Sequence, residues 1–91
     1  MREIFRQSTF KSDLKRVSRS GQHKSEDVLD VIAMLANDEP LPERCRDHAL
    51  TGEWKDFRDC HVKPDLVLIY RKPDAATLLL VRFGSHSELG L

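Results

Sequence analysis

Three histidines and one aspartate in the second half of the chain are of residue types that transfer protons. His48, His61 and His86 stand at or near the ends of predicted strands, and Asp65 lies in the turn before an apolar run. The fourth histidine, His23, stands in a basic segment near the N-terminus. Because side chains at the ends of separate strands can converge, the sequence predicts a cluster of imidazoles and a carboxylate at one edge of a sheet.

Basic side chains accompany these residues, and the candidate phosphate ligands among them are Lys55, Arg58 and Arg82. The sequence contains no motif for a serine or cysteine nucleophile. Groups that move protons, beside cations that stabilise negative charge, suit cleavage of an RNA phosphodiester. In that reaction the 2′-hydroxyl of the RNA is itself the nucleophile, so the residue types indicate an RNA-cleaving site.

Several of these residues also have an ordinary structural interpretation. Asp65 is typical of a turn, and Arg58 and Arg82 are equally typical of surface ion pairs. Trp54 and Phe57 are expected to pack in the core and not to stack on bases, because aromatic side chains in strands usually point inward.

Two cysteines and two histidines raise the alternative of a structural zinc site. Two residues separate Cys45 from His48, and Cys60 is adjacent to His61. Adjacent residues on a strand point to opposite faces, which makes it difficult for Cys60 and His61 to bind one ion. We therefore predict no metal site and no cofactor.

Length and composition bound the architecture. A chain of 91 residues with 40% hydrophobic content supports one compact domain, expected over residues 1–91. Two cysteines are too few for a secreted disulfide framework, and the N-terminus lacks the apolar core of a signal peptide. No run has the length needed to span a bilayer, so we expect a cytoplasmic protein.

Charge is distributed unevenly although the formal net charge is zero. Residues 1–24 contain seven Lys and Arg and two acids, whereas residues 25–43 contain six acids and no Lys or Arg. The first segment predicts a basic helix face that could hold RNA phosphates. An ordinary solvated face explains the same pattern equally well. The candidate residues on this face are Lys11, Lys15, Arg16 and Arg19.

Apolar periodicity predicts two helices in the first half of the chain. The first is expected to begin at a Ser8 or Thr9 cap and to end at Gly21. The second is expected to begin at Ser25 and to end near Asn37. The apolar stripe predicted for the second helix comprises Val28, Leu29, Ile32, Leu35 and Ala36.

The remaining segments predict strands, at residues 2–8, 54–62, 65–71 and 76–84. The last three read as an antiparallel meander, and the last two are apolar on both faces. We therefore expect an α+β fold in which an N-terminal strand and a helical hairpin pack on this meander, with further chain covering its other face.

An ordered set of short motifs indicates which protein family the chain is similar to. The pieces are "DH", "L-x-G-x-W", "R-D-x-H-V-x-P-D", "LIY" and "R-x-G-x-H-x-x-L", and together they cover about residues 44–90. The set resembles the RelE/ParE superfamily of bacterial toxins, most closely its YafQ branch. The preceding helical hairpin fits the same resemblance.

This resemblance implies a toxin of a type II toxin–antitoxin module with a RelE-like fold and a microbial-ribonuclease-like sheet. Similar members cleave mRNA during translation on the ribosome and are silenced by a cognate antitoxin, through which the complex meets operator DNA. The catalytic residues it implies are His48, His61, Asp65 and His86. We expect His86 and Asp65 to divide the two proton transfers, without a metal and leaving a 2′,3′-cyclic phosphate.

One departure and two alternative functions accompany the resemblance. Leu66, Leu89 and Leu91 stand at or near positions where similar toxins often have an aromatic residue, so base stacking is not expected from them. One alternative is the branch of the superfamily that poisons DNA gyrase, which lacks the histidine set. The other is an inactive module that binds the antitoxin and serves regulation.

Overall fold

The computed structural model describes residues 1–21 and 25–91, so the histidine at position 23 lies outside the described residues. The elements are β1 (Glu3–Arg6), α1 (Ser8–Ser20), α2 (Ser25–Ala36), β2 (His48–Ala49), β3 (Arg58–Lys63), β4 (Leu66–Arg71), β5 (Thr77–Gly84) and α3 (His86–Leu89), with 3₁₀ turns at Glu43–Cys45 and Gly52–Trp54. The strands form one sheet in the order β1-β5-β4-β3-β2. Strand β1 is parallel to β5, and the other neighbouring strands are antiparallel. This confirms the predicted α+β architecture.

Strand β4 supplies apolar side chains to both faces of the sheet, because successive residues of a strand point in opposite directions. Leu66, Leu68 and Tyr70 pack with α1 and α2 in the larger core, whereas Val67 and Ile69 belong to a smaller core. The smaller core is completed by Leu50, Trp54, Phe57, Leu79, Val81 and Leu89. Both expectations are confirmed: the meander is covered on two faces, and the two aromatic residues pack inward.

Side chains of α1 complete the outer edge of β5 beyond the end of β1. The Thr9 hydroxyl donates to the Val81 carbonyl (2.8 Å), and the backbone N–H of Phe83 donates to Asp13 (3.0 Å). Arg16 donates to the Phe83 carbonyl (3.1 Å). The three helix residues recur at a spacing of four and three, which places them on one face of α1. They therefore replace the backbone partners that a neighbouring strand would supply.

Two β-bulges lie beside the predicted site. Val62 is an extra residue in β3, and Val81 is an extra residue in β5. Bulges bend a strand and re-aim its side chains, and they are common next to active sites. The first bulge directly follows His61, and the second directly precedes Arg82.

The two helices differ in detail from the sequence prediction. The N-cap of α1 is Gln7, without a side-chain hydrogen bond, so the prediction of Ser8 or Thr9 as the cap is wrong. The predicted stop is confirmed, since Gly21 has a φ of 72° that suits glycine. In α2, Leu29 is 56% exposed and Val31 is buried in its place.

The first strand of the meander begins later than predicted. Residues 52–54 form a 3₁₀ turn, so β3 begins at Arg58 and not at Trp54. The short strand β2, which the sequence did not predict, pairs with the start of β3. Within the described part of the chain, no helix has the length and apolar character needed to cross a membrane.

Candidate active site

His86 and Asp65 form a hydrogen-bonded pair at one edge of the sheet. Asp65 lies in the turn between β3 and β4, and its Oδ1 is 2.9 Å from His86 Nδ1 and 3.3 Å from the His86 backbone nitrogen. Because an ionised carboxylate only accepts hydrogen bonds, the ring carries its proton on Nδ1. The other ring nitrogen, Nε2, is then the one that can exchange a proton with a substrate.

The start of α3 holds His86 in this position through a capping box. The Ser85 hydroxyl accepts a hydrogen bond from the Glu88 backbone N–H (3.2 Å), and the Glu88 carboxylate accepts one from the Ser85 N–H (2.8 Å). This reciprocal pair satisfies two backbone donors and fixes the path of the chain into the helix. His86, the first residue of α3, is thereby set toward Asp65.

His61 packs against His86 from the neighbouring part of the sheet. The two imidazole rings have centroids 4.9 Å apart at an interplanar angle of 66°, an edge-to-face contact. His61 pairs in register with Val67 of β4, whose side chain belongs to the smaller core. The ring therefore belongs to the face of the sheet opposite α1 and α2.

Open clefts adjoin the two sides of this contact. One, of about 380 Å³, is lined by His61 and Lys63 together with residues of α2. The other, of about 360 Å³, is lined by Asp65, Arg16 and Glu88. One cleft therefore contacts His61, and the other contacts Asp65, the partner of His86.

His48 lies on the edge strand β2 and is held through its Nδ1 nitrogen. This atom is 2.6 Å from the backbone carbonyl of Arg46 and 3.1 Å from Oδ1 of Asp59. A carbonyl only accepts, so Nδ1 carries the proton and Nε2 is left for a substrate. Arg46 has a φ of 47°, a left-handed conformation that is uncommon for a residue other than glycine and that occurs often at functional sites.

Asp59 is a site residue that the sequence analysis did not single out. Its side chain is 3% exposed, and burial raises the pKa of its carboxyl although nearby histidine charges oppose this. Asp59 pairs with His48 across β2 and β3 and stands two positions before His61 in β3. Period two places Asp59 and His61 on one face, which is the signal that could have found it.

The predicted phosphate ligands of the sheet are largely engaged in ion pairs. Arg82 Nε lies 2.6 Å from the buried carboxylate of Asp13, and Arg58 Nε lies 3.3 Å from Asp47. Lys55 follows the 3₁₀ turn and is exposed. Their assignment as phosphate ligands stays a prediction, and for the two arginines the alternative interpretation as ion-pair partners describes the observed contacts.

The basic residues of α1 divide between two faces. Arg16 pairs with Asp13 (2.7 Å) and with Glu88 (2.9 Å), and so ties α1 to β5 and α3. The other three candidates are exposed and recur every fourth residue, as one stripe, and they are Lys11, Lys15 and Arg19. This exposed stripe is the part of α1 that remains a candidate for binding RNA.

The two cysteines face away from the histidines. Cys60 pairs in register with Leu68 and is buried with Cys45 in the larger core, whereas His61 lies on the opposite face. Among residues 1–21 and 25–91, no three His, Cys, Asp or Glu side chains are arranged to hold a metal ion. The side chains in this part of the chain therefore do not fit a resident metal, and we derive no catalytic step through one.

Known proteins of similar sequence and structure identify the family. Residues 2–90 match the model of the YafQ family, bacterial toxins of type II toxin–antitoxin systems. The mRNA interferase toxin YafQ of Escherichia coli K12 is 37% identical over 90 residues, which cover 97% of this chain and 95% of that protein.

Solved structures agree in fold. A metal-bound toxin from Helicobacter pylori has a TM-score of 0.89 and 43% identity, over 98% of this chain and 99% of that one. A chain of the E. coli DinJ–YafQ complex has a TM-score of 0.85 and 32% identity, over 98% of each chain. The protein therefore belongs to the YafQ family of bacterial toxins of type II toxin–antitoxin systems, which confirms the resemblance found in the sequence.

Proposed function

We propose that this chain is a ribosome-dependent endoribonuclease that cleaves mRNA during translation. The observation that carries the proposal is the hydrogen bond between Asp65 and His86, with the His61 ring packed against the same imidazole. Proton-transfer groups are thus grouped on an open face of the sheet, and the E. coli relative is named an mRNA interferase.

The reaction is an attack of the RNA 2′-hydroxyl on the adjacent phosphorus. One group removes the proton of the 2′-hydroxyl, and another donates a proton to the departing 5′-oxygen. His86 is the donor, because the Asp65 carboxylate behind Nδ1 stabilises the imidazolium whose Nε2–H faces the substrate. The products are a 2′,3′-cyclic phosphate and a 5′-hydroxyl.

The contact between Asp65 and His86 refines the expected division of labour. The two residues act as one unit on the leaving oxygen, and His48 Nε2 accepts the proton of the 2′-hydroxyl. His61, beside His86, supplies positive charge to the phosphate in the transition state. Arg58 and Arg82 add long-range positive charge from within their ion pairs.

The partner that silences this activity is a cognate antitoxin. The support is the E. coli relative, whose structure is that of a complex between DinJ and YafQ. An acidic segment of the antitoxin would complement the exposed stripe of Lys11, Lys15 and Arg19 and cover the histidines.

Mapping of transcript ends on translating ribosomes tests the proposal. Wild-type protein is expected to produce new 5′ ends within translated codons, and His86→Ala is expected to lower the cleavage rate by about 10²- to 10⁴-fold. The matched control is Ser87→Ala, an exposed neighbour on α3 that should cleave like the wild type. Thermal unfolding should show that both variants are folded.

Three outcomes would contradict the proposal in different ways. Full cleavage by a folded His86→Ala variant would remove His86 from the reaction. Intact transcripts together with inhibited DNA gyrase would replace the nuclease by the gyrase-poisoning alternative, and antitoxin binding without any toxicity would indicate the regulatory module.

A chelator tests the proposal that no metal takes part. Cleavage is expected to proceed at an unchanged rate in EDTA, because protons and side-chain charges suffice for the reaction as proposed. A rate that falls in EDTA and returns with a divalent ion would contradict this, and the test is informative because a related toxin has been crystallised with bound metal.

A further inference from the structure

Asp59 lies in the part of the sheet that forms the base of the candidate active site. It lies on β3 between His48 of β2 and Ile69 of β4, with which it pairs in register. The carboxylate is 3% exposed, and its neighbour Ile69 belongs to the smaller apolar core. The group is therefore removed from water although it lies directly beneath the proposed catalytic face.

One oxygen of this carboxylate, Oδ1, lacks a well-formed hydrogen bond within residues 1–21 and 25–91. Its Oδ1 lies 3.1 Å from His48 Nδ1, yet this oxygen accepts no well-formed hydrogen bond from the residues that the structure describes. A buried carboxylate oxygen without a hydrogen bond is costly and persists only where other charges compensate it. The charged groups that act on it are His48, His61 and His86, which favour its anion, and Asp47, which disfavours it.

We propose that Asp59 is a positioning residue of this site, whose buried carboxylate lies beside Nδ1 of His48 and supplies a negative charge shared by the three histidines. The inference rests on the proposed ribonuclease function and adds a second carboxylate–imidazole pair to that of Asp65 and His86.

The geometry indicates how the Asp59 charge acts on the His48 ring. The His48 Nδ1–H lies between the Arg46 carbonyl (2.6 Å) and the Asp59 carboxylate (3.1 Å), so the ring presents Nε2 to the RNA. When Nε2 takes the proton of the 2′-hydroxyl, the ring becomes a cation next to a buried anion. Asp59 thus lies where its charge would stabilise the state that His48 enters during the reaction.

Nitrogen-15 NMR of the histidine side chains tests the positioning without reference to activity. The wild-type chain is expected to show His48 as the Nδ1–H tautomer at a pH where the ring is neutral. In Asp59→Asn the Nε2–H fraction should rise, because only the Arg46 carbonyl would then act on the Nδ1–H, while Asp56→Asn, a change at an exposed carboxylate, should leave it unchanged. A wild-type His48 protonated on Nε2 would overturn the proposal with no variant needed.

The pH dependence of mRNA cleavage separates a charge effect from a structural one. Asp59→Asn is expected to lower the rate about 10²-fold at neutral pH and to move the limb that requires a neutral imidazole, that of the base His48, about one pH unit lower. Asp59→Glu keeps the charge and should keep that limb within about 0.3 pH unit of wild type.

Different results would contradict the role proposed for Asp59 and the proposed ribonuclease function. An Asp59→Asn variant that is folded and slow but has an unchanged pH profile and His48 tautomer would reduce Asp59 to a structural residue. If Asp59→Asn does not fold, the Asp59→Glu profile decides the matter, because a limb displaced by about one pH unit in a variant that keeps the charge would contradict the proposal. Wild-type protein that cuts no mRNA would remove the proposed function and leave the tautomer result intact.

Discussion

Replacing Asp13 by alanine is expected to lower the free energy of unfolding by about 2 to 3 kcal/mol, because it removes the buried carboxylate of an ion-pair network whose arginines are partly exposed and leaves a buried N–H unpaired. The carboxylate is 3% exposed. It lies 2.6 Å from Arg82 Nε and 2.7 Å from Arg16 Nη1, and it accepts the Phe83 N–H at 3.0 Å. Its loss would leave the Phe83 N–H of β5 unpaired, remove the carboxylate that Arg82 contacts, and leave Arg16 paired with Glu88 alone.

The size of this effect relative to the whole domain makes the test sensitive. A chain of 91 residues has an expected stability of about 5 to 14 kcal/mol. The loss is therefore a large fraction of the total, and Asp13→Ala should unfold at a clearly lower urea concentration. An alanine at exposed Asp30 of α2 is the matched control and should change the stability by less than about 0.5 kcal/mol.

The pH dependence of the same difference provides a second check. Burial acts to raise the pKa of Asp13, but hydrogen bonds from Arg82, from the Phe83 N–H and from Arg16 prevail and hold it below its ordinary value of 3.8. A lowered folded-state pKa gives stability that is present above the unfolded value and is lost as the pH falls through the folded value. The gap between wild type and Asp13→Ala should therefore be constant above about pH 5 and narrow below about pH 4.

Urea unfolding of both proteins, followed by circular dichroism from pH 7 to pH 3.5, measures both effects. A loss below about 1 kcal/mol at pH 7 would show that the network adds little. A gap of constant size down to the lowest pH would show that the Asp13 charge is not its source.

Three further predictions follow from other contacts. Gly84→Ala should destabilise the chain by about 1 kcal/mol in urea unfolding, because the added Cβ would lie 2.7 Å from Arg16 Nη2 and 3.0 Å from Glu88 Oε1; unchanged stability would show that these side chains move aside freely. Burial raises the pKa of the Cys60 thiol, so maleimide should label neither cysteine in the folded chain at pH 8 and should label both in urea, and rapid labelling of the folded chain would contradict this. Ribosome binding should weaken steeply as the salt concentration rises. The slope should fall when glutamine replaces the exposed basic stripe of α1, which consists of Lys11, Lys15 and Arg19. A flat salt response would show that these residues do not take part in binding.

The elements of the fold could largely be predicted from the sequence, since each leaves a local pattern. The apolar run that became β4 and the glycine at position 21 mark their elements without reference to the rest of the chain. The failures are at positions where tertiary contacts decide. Thr9 was a plausible cap by residue type, but its hydroxyl donates to β5, and Leu29 fits the helical stripe although α2 is rotated so that Val31 is buried instead.

The candidate site could be predicted in its outer residues but not in its supports. His61, Asp65 and His86 are conspicuous because their residue types suit proton transfer, and the fold brings them together. Asp13 and Asp59 are ordinary acids in the sequence, and only their burial distinguishes them. Burial depends on which strand and helix lie opposite, so a single sequence gives little indication of it.

The two buried carboxylates, Asp13 and Asp59, use their charges in different ways. Asp13 engages Arg16 and Arg82 in binding α1 to β5, and this contact fixes the strand that leads directly into His86. Asp59 lies against His48 and, among the residues that the structure describes, forms no ion pair with an arginine. One acid therefore uses its charge to build the scaffold, and the other is left to act on the imidazoles. Neutralising the first should cost stability, whereas neutralising the second should chiefly change the chemistry, and comparing Asp13→Asn with Asp59→Asn in unfolding and cleavage separates the two roles.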